Sequence, residues 1–268
     1  MVIRICMTVL FFLGSASCLF AGDEPKVAGF VAVGGFNKYV FRGYEFSGRS
    51  FVLQPSAGIS YRGFSFCFWG NIDTDEHPTQ SFIPDRPGKK SFNESDLTLS
   101  YNHNLGKLSL TAGYIYYGTK FTAETEEIYG SISLDIPGKP TLFVYRDITS
   151  YPGTYFNFSL SHSFGIYRGM TLDLMGAAGY FAGGSGYWKT YESSTGGYTG
   201  KKYQAFHDGL ISVGLTVPVS QSVSIQPVVQ YWFPLSDRAR KTVDGNSFNP
   251  NGKLDETLVV GMNLKFAF

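Results

Sequence analysis

Thr257-Leu258-Val259-Val260-Gly261-Met262-Asn263-Leu264-Lys265-Phe266-Ala267-Phe268 alternates through its whole length. Leu258, Val260, Met262, Leu264, Phe266 and Phe268 make one greasy face, and Thr257, Val259, Gly261, Asn263, Lys265 and Ala267 a mostly small or polar one. A period of two marks a strand whose faces meet different surroundings. The same pattern returns in Phe64-Phe66-Phe68 against Ser65-Cys67-Trp69, in Leu108-Leu110-Ala112-Tyr114-Tyr116, in Leu172-Leu174-Gly176-Ala178-Tyr180 and in Ile211-Val213-Leu215-Val217. Helical periodicity is nearly absent.

About twelve strands follow from this pattern, with ten or fourteen as alternatives. Their expected spans are 27–42, 51–61, 64–73, 94–103, 108–117, 126–135, 141–147, 154–164, 170–180, 205–217, 223–233 and 256–268. Most approach the roughly 9–11 residues that a tilted strand needs to cross a bilayer. The first is ambiguous in facing, because Phe30, Ala32 and Phe36 compete with Val27, Val31 and Val33 for the same side. Connections alternate short and long. Arg62-Gly63, 104–107, 136–140, 165–169 and 218–222 are short; 43–50, 74–93, 118–125, 148–153, 181–204 and 234–255 are mostly longer. Outer-membrane barrels put short turns in the periplasm and long loops outside, so both termini are expected in the periplasm.

The direction of the greasy face decides between a membrane barrel and a soluble one. Opposite it stand Ser56, Ser60, Ser100, Thr111, Ser131 and Ser212, with further Ser, Thr, Gly and Ala, where a soluble protein's outer surface would carry Lys and Glu. Small hydroxyl residues suit a wet lumen, and the oily side chains then face hydrocarbon. Tyr61, Phe64, Tyr101, Phe164, Phe266 and Phe268 would form one interfacial girdle, and Phe51, Tyr114, Tyr116, Phe156, Tyr180, Tyr231 and Phe233 the other. The expected fold is all-β, a transmembrane antiparallel up-and-down barrel.

Met1–Ala21 joins an early Arg4 to an apolar run with no acid, which reads as a cleavable signal peptide; 22–268 is then a single barrel domain. Removing Arg4 lowers 22 basic residues to 21, equal to the 21 acids, and a neutral chain argues against nucleic acid as a partner. Cys6 and Cys18 fall in the signal, leaving Cys67 and no spacing for a disulfide framework. The expected location is the outer membrane of a Gram-negative-type bacterium.

The alternating strand that ends in Phe268 resembles the C-terminal assembly signal of outer-membrane barrels, which implies barrel-assembly machinery as a partner. Tyr39-Val40-Phe41-Arg42-Gly43, followed by the hairpin through Tyr61-Arg62-Gly63, is similar to the TorF-type outer-membrane porin family. That resemblance implies a porin-like barrel of similar length and supplies no site residues.

Strand parity puts Trp69, Asn71, Asp73, Asp96, Glu127, Tyr129, Asp173, Asp208, Gln226, Gln230 and Lys265 in the lumen as pore-lining residues, with Lys38 and Arg42 as further bases. Acids exceed bases there, which suggests passive diffusion of cations or neutral polar solutes. The rival readings are a structural or surface-interaction barrel with a blocked lumen, and an outer-membrane lipid hydrolase. For the hydrolase no Gly-x-Ser-x-Gly elbow exists, and His207 and Asp208 are expected on opposite faces. No cofactor or metal is expected. Asp73-x-Asp75 and Asp244-x-Asn246 lack the spacing of a calcium loop, and Gly196–Lys201 departs from the phosphate-loop pattern and reads as a flexible loop. The expected partners are outer-membrane lipid and small polar solutes.

Overall fold

The computed structural model describes residues 27–77, 79, 85–192, 194–244 and 254–268, with the side chains of 241–244 left out. The expected signal segment Met1–Ala21 and Asn246 of the Asp244-x-Asn246 pair lie outside the described residues.

The strands in chain order are β1 (Ala28–Phe36), β2 (Tyr39–Phe41), β3 (Tyr44–Ser47), β4 (Val52–Tyr61), β5 (Phe64–Asp73), β6 (Ser91–Leu105), β7 (Leu108–Thr119) and β8 (Thr125–Leu134). They continue with β9 (Thr141–Asp147), β10 (Gly153–Gly165), β11 (Thr171–Gly183), β12 (Lys189–Tyr191), β13 (Tyr198–Lys202), β14 (Gln204–Pro218), β15 (Val223–Pro234) and β16 (Thr257–Ala267). The helix α1 (Asp237–Asp244) precedes β16.

Twelve of the strands close one antiparallel barrel, in the order β1-β16-β15-β14-β11-β10-β9-β8-β7-β6-β5-β4. Closure pairs Phe30 with Ala267 and Phe36 with Gly261, so the start of β1 and the end of β16 share the short-turn end of the barrel. A closed barrel leaves no strand edge unpaired. Arg62 and Gly63, both at positive φ, make the two-residue turn between β4 and β5 whose twist suits antiparallel strands.

The greasy face points outward. Leu99, Ile132, Phe158, Leu160, Val213 and Met262 are among the large apolar side chains left exposed, and all six girdle aromatics expected at the short-turn end are exposed as well. Their neighbours of opposite parity, including Ser100, Ser131, Ser159 and Ser212, are buried inside. The ambiguity of the first strand resolves the same way: Phe30, Ala32 and Phe36 face inward, while Val31 and Val33 stay exposed. Leu99 lies near the middle of β6 and is 55% exposed. Leu99→Arg is therefore expected to cost about 2–4 kcal/mol in a denaturant titration from lipid vesicles, the penalty of a cation near the bilayer midplane. An unchanged midpoint would mean that this face does not meet hydrocarbon.

One expected strand is corrected. The span 27–42 does not stay in the wall; β1 ends at Phe36, and Tyr39–Ser47 turns into the barrel as a separate hairpin of β2 and β3. The turn is Arg42-Gly43, with φ of 49° and 78°, the same two-residue chemistry as Arg62-Gly63. Consequently 43–50 is not simply an outer loop. The long connection after β11 is also more ordered than expected: Gly196–Lys201 runs into the small β12–β13 hairpin, and Trp188 beside it packs on Phe181 at 4.1 Å.

Candidate functional site: the filled barrel interior

Two aromatic clusters occupy the barrel interior. Phe30, Phe36, Tyr39, Trp69, Leu210 and Trp232 belong to one, and Ile115, Tyr117, Tyr129, Tyr145, Tyr155 and Phe181 to the other. The hairpin contributes to both, because Tyr39 lies 5.3 Å from Trp69 and Phe41 lies 6.1 Å from Tyr117. Alternation and small polar residues had suggested a wet tube; on the hairpin's level the space is filled by side chains instead.

The hairpin is held at each end and at its tip. Lys38 Nζ donates to Glu45 and to Thr257, both at 2.8 Å. Ser47 donates to Asp73 on the wall. At the tip, Arg42 makes a bidentate pair with Glu127, each nitrogen 2.8 Å from its oxygen, and Tyr117 donates to the same carboxylate at 2.9 Å. The guanidinium also lies over the rings of Phe41, Tyr145 and Tyr155 at 4.4–4.7 Å. Two forked hydrogen bonds plus three ring faces suit a guanidinium better than any other side-chain cation. The turn must also be small: a Cβ on Gly43 would sit 2.9 Å from that of Asp208. Tyr44 beyond it is covered by Leu254 and by Ala239 of α1.

Every residue expected in the lumen points inward, but most are buried rather than wet. Asp73, Asp96, Glu127, Asp173 and Asp208 are at most 5% exposed, as are Trp69, Asn71 and Tyr129. Asp173 accepts from Thr171, Thr216 and Gln226, and Gln226 accepts from Asn263, so toward the short-turn end a carboxylate is held by neutral donors. Asn71 bridges Gln54 and Asn93. Gln230 accepts from the Trp232 indole, and Lys265 lies over the Phe30 ring at 5.1 Å. The lumen acids do not form one cluster. Asp173 has its own network, Asp208 accepts from Tyr155, and Glu127 pairs with Arg42.

Parity fails at one place. His207 and Asp208, expected on opposite faces, are both buried inside, at 0% and 1% exposure. The register between β11 and β14 shifts there, Ala178 facing Gly209 and Tyr180 facing Phe206, so two residues oppose Gly179 alone. Such a bulge turns both side chains to one face. Gly179 makes room, because a Cβ there would collide with Asp208 and with the Tyr155 hydroxyl. The His207 ring is enclosed by Tyr44, Tyr155, Phe181 and Tyr203, and its Nδ1 lies 2.6 Å from the Tyr203 hydroxyl.

Glu94 is an interior acid that the sequence reading did not name. It shares the parity of Asp96 two residues on, which was signal enough to find it; the bulge at Asn93 leaves that parity intact. In the outer connection after β5, Asp75 accepts from the backbone amide of Gly88 and from His77 Nε2, and the Gly88 bond holds its carboxyl below the usual range. This is loop bracing. Among the described residues no group of three His, Cys, Asp or Glu is placed to hold a metal ion.

No family model matches the sequence, and no curated protein matches it. Solved structures share the architecture, among them two outer-membrane barrels. A NanC porin superposes with a TM-score of 0.52 at 10% identity, over 88% of this chain and 98% of its own. The COG4313 outer membrane channel from Pseudomonas putida F1 does so with a TM-score of 0.50 at 9% identity, over 93% and 100%. The fold is that of outer-membrane β-barrels. At such identities it is the architecture that is shared.

Proposed function

We propose that the protein is a porin-like channel of the outer membrane, with both chain ends in the periplasm, passing small cations and neutral polar solutes through a lumen narrowed by the inward hairpin. The observation that carries the charge preference is an imbalance. Nine carboxylates, but no Lys or Arg, are found among the buried described residues. Lys38 and Arg42 are each already paired with one of those acids, so acids still outnumber bases along the interior, an excess that favours cations over anions. The two similar structures are a porin and a channel by name, and the Tyr39–Gly43 resemblance to TorF-type porins agrees with that reading.

Planar-bilayer recording across a potassium chloride gradient tests it. A reversal potential of the sign for potassium over chloride is expected; absence of any conductance, or selectivity for chloride, would overturn it.

The packed hairpin favours a second reading, a closed barrel whose function lies in its outer loops. A silent wild type that conducts only after the hairpin is removed would support it. The hydrolase reading is not favoured, since His207 Nδ1 meets the Tyr203 hydroxyl and its Nε2 meets no serine hydroxyl among the described residues. We infer a non-enzymatic protein.

A further inference from the structure

Arg42 displays what this interior does with a cationic nitrogen group: a carboxylate takes it edge-on while aromatic rings cover its faces. A second assembly of the same components lies on the adjoining wall. In the ladder Asp96 stands between Trp69 on β5 and Tyr117 on β7, its direct partners on either side, and Glu94 stands two residues away on the same face. The hairpin supplies the remaining wall. Tyr39 packs against Trp69, and its hydroxyl stands against Glu94, with Asp96 and Tyr117 close by.

The difference is that this assembly has no cation of the chain's own. Both oxygens of Asp96, a residue 2% exposed, are buried without a hydrogen-bond partner, while the Tyr39 hydroxyl from a different element leans on Glu94. Glu127 nearby adds a third carboxylate, but Arg42 is committed to it in bidentate fashion. A carboxylate enclosed this fully, with neither donor nor counter-charge, is strongly disfavoured, so the group is protonated when alone and ionises when a cation arrives to pair with it. A divalent metal does not fit, since the ligating groups are not gathered for one. Flat aromatic walls instead suit a cation with an organic body, through ring-face attraction.

We propose that Asp96 and Glu94, walled by Trp69, Tyr39 and Tyr117, bind the ammonium or guanidinium head of a small organic cation. The site names a solute class for the cation-preferring channel and rests on that reading. Asp96 takes the charge, Glu94 with its slight exposure is the outer carboxylate, and the Tyr39 hydroxyl accepts a further N–H.

The test uses the full chain, folded in detergent micelles and titrated with n-butylammonium chloride while tryptophan fluorescence is followed. A saturable change is expected that equal potassium chloride does not reproduce and that Trp69→Phe removes. Asp96→Asn, nearly isosteric, should weaken binding by roughly tenfold or more, the loss expected when one partner of a buried charge pair is neutralised. Should that variant fail to reach the heat-modifiable folded form on a gel, Glu94→Gln serves in its place with the same expected direction. No saturable change in the wild type, equal binding by folded Asp96→Asn, or an identical response to potassium would each overturn the proposal. Conductance recorded on the same preparation separates the two ideas: binding without current sinks the channel and leaves the site, whereas ammonium current without Asp96-dependent binding sinks the site alone.

Discussion

Arg42→Ala is expected to destabilise the folded barrel by about 3–5 kcal/mol, the penalty when one partner of a buried ion pair is removed and the other stays. The substitution strips Glu127 of both its charged donors and leaves only the Tyr117 hydroxyl on a carboxylate that is 5% exposed. It also uncovers three ring faces. Urea titration in detergent, followed by the gel shift of the folded barrel, measures it. Arg42→Lys should recover only part of the loss, because an ammonium cannot make the fork. Adding Glu127→Gln to Arg42→Ala should cost less than the two single losses summed, with a coupling of about 1–3 kcal/mol. Strict additivity would mean that the pair does not latch the hairpin tip to the barrel wall.

That latch was only half legible in the sequence. Eleven of the twelve wall strands stand close to where alternation puts them, because one face meets lipid and the other does not, and that contrast is written into every second residue. The hairpin hid because β2 carries on the period of β1: Tyr39, Val40 and Phe41 extend the apolar run, and nothing in a two-residue period tells a wall strand from one folded into the lumen. Arg42-Gly43 was the available sign, since Arg62-Gly63 has the same residues and was read as a turn. The inward direction of Arg42 depends on Glu127, 85 residues away, which local pattern does not reach.

The His207-Asp208 pair illustrates the other limit. Parity reasoning carries a side chain's facing along a strand only while pairing stays one to one, and a single extra residue reverses it. The bulge opposite Gly179 is such an insertion. A glycine flanked by Ala178 and Tyr180 in a wall strand was the faint hint. Filling of the lumen was less legible still, because inward Tyr145, Tyr155 and Phe181 carry the same alternation whether they line a pore or pack against one another.

Removing the hairpin should change function more than any single substitution. Phe36 and Val52 are ladder partners, so the chain ends on either side of the inward segment already meet, and replacing Lys38–Arg49 with Asn-Gly closes the wall through a short turn. The barrel itself should survive, since pairing of β1 with both β4 and β16 does not involve the excised residues. Tyr39, Phe41, Arg42 and Phe46 then leave the interior together. Glu127, Asp73 and Asp96 are left facing open water, and the lumen becomes both wider and more negative. Single-channel conductance is expected to rise several-fold, with stronger preference for potassium over chloride, because uncompensated carboxylates now stand in the solute path. Unchanged conductance in a variant that still folds would place the constriction elsewhere, in the outer connections that carry Trp188 and α1. A rise in conductance with loss of cation preference would instead mean that the buried acids lie off the path taken by ions.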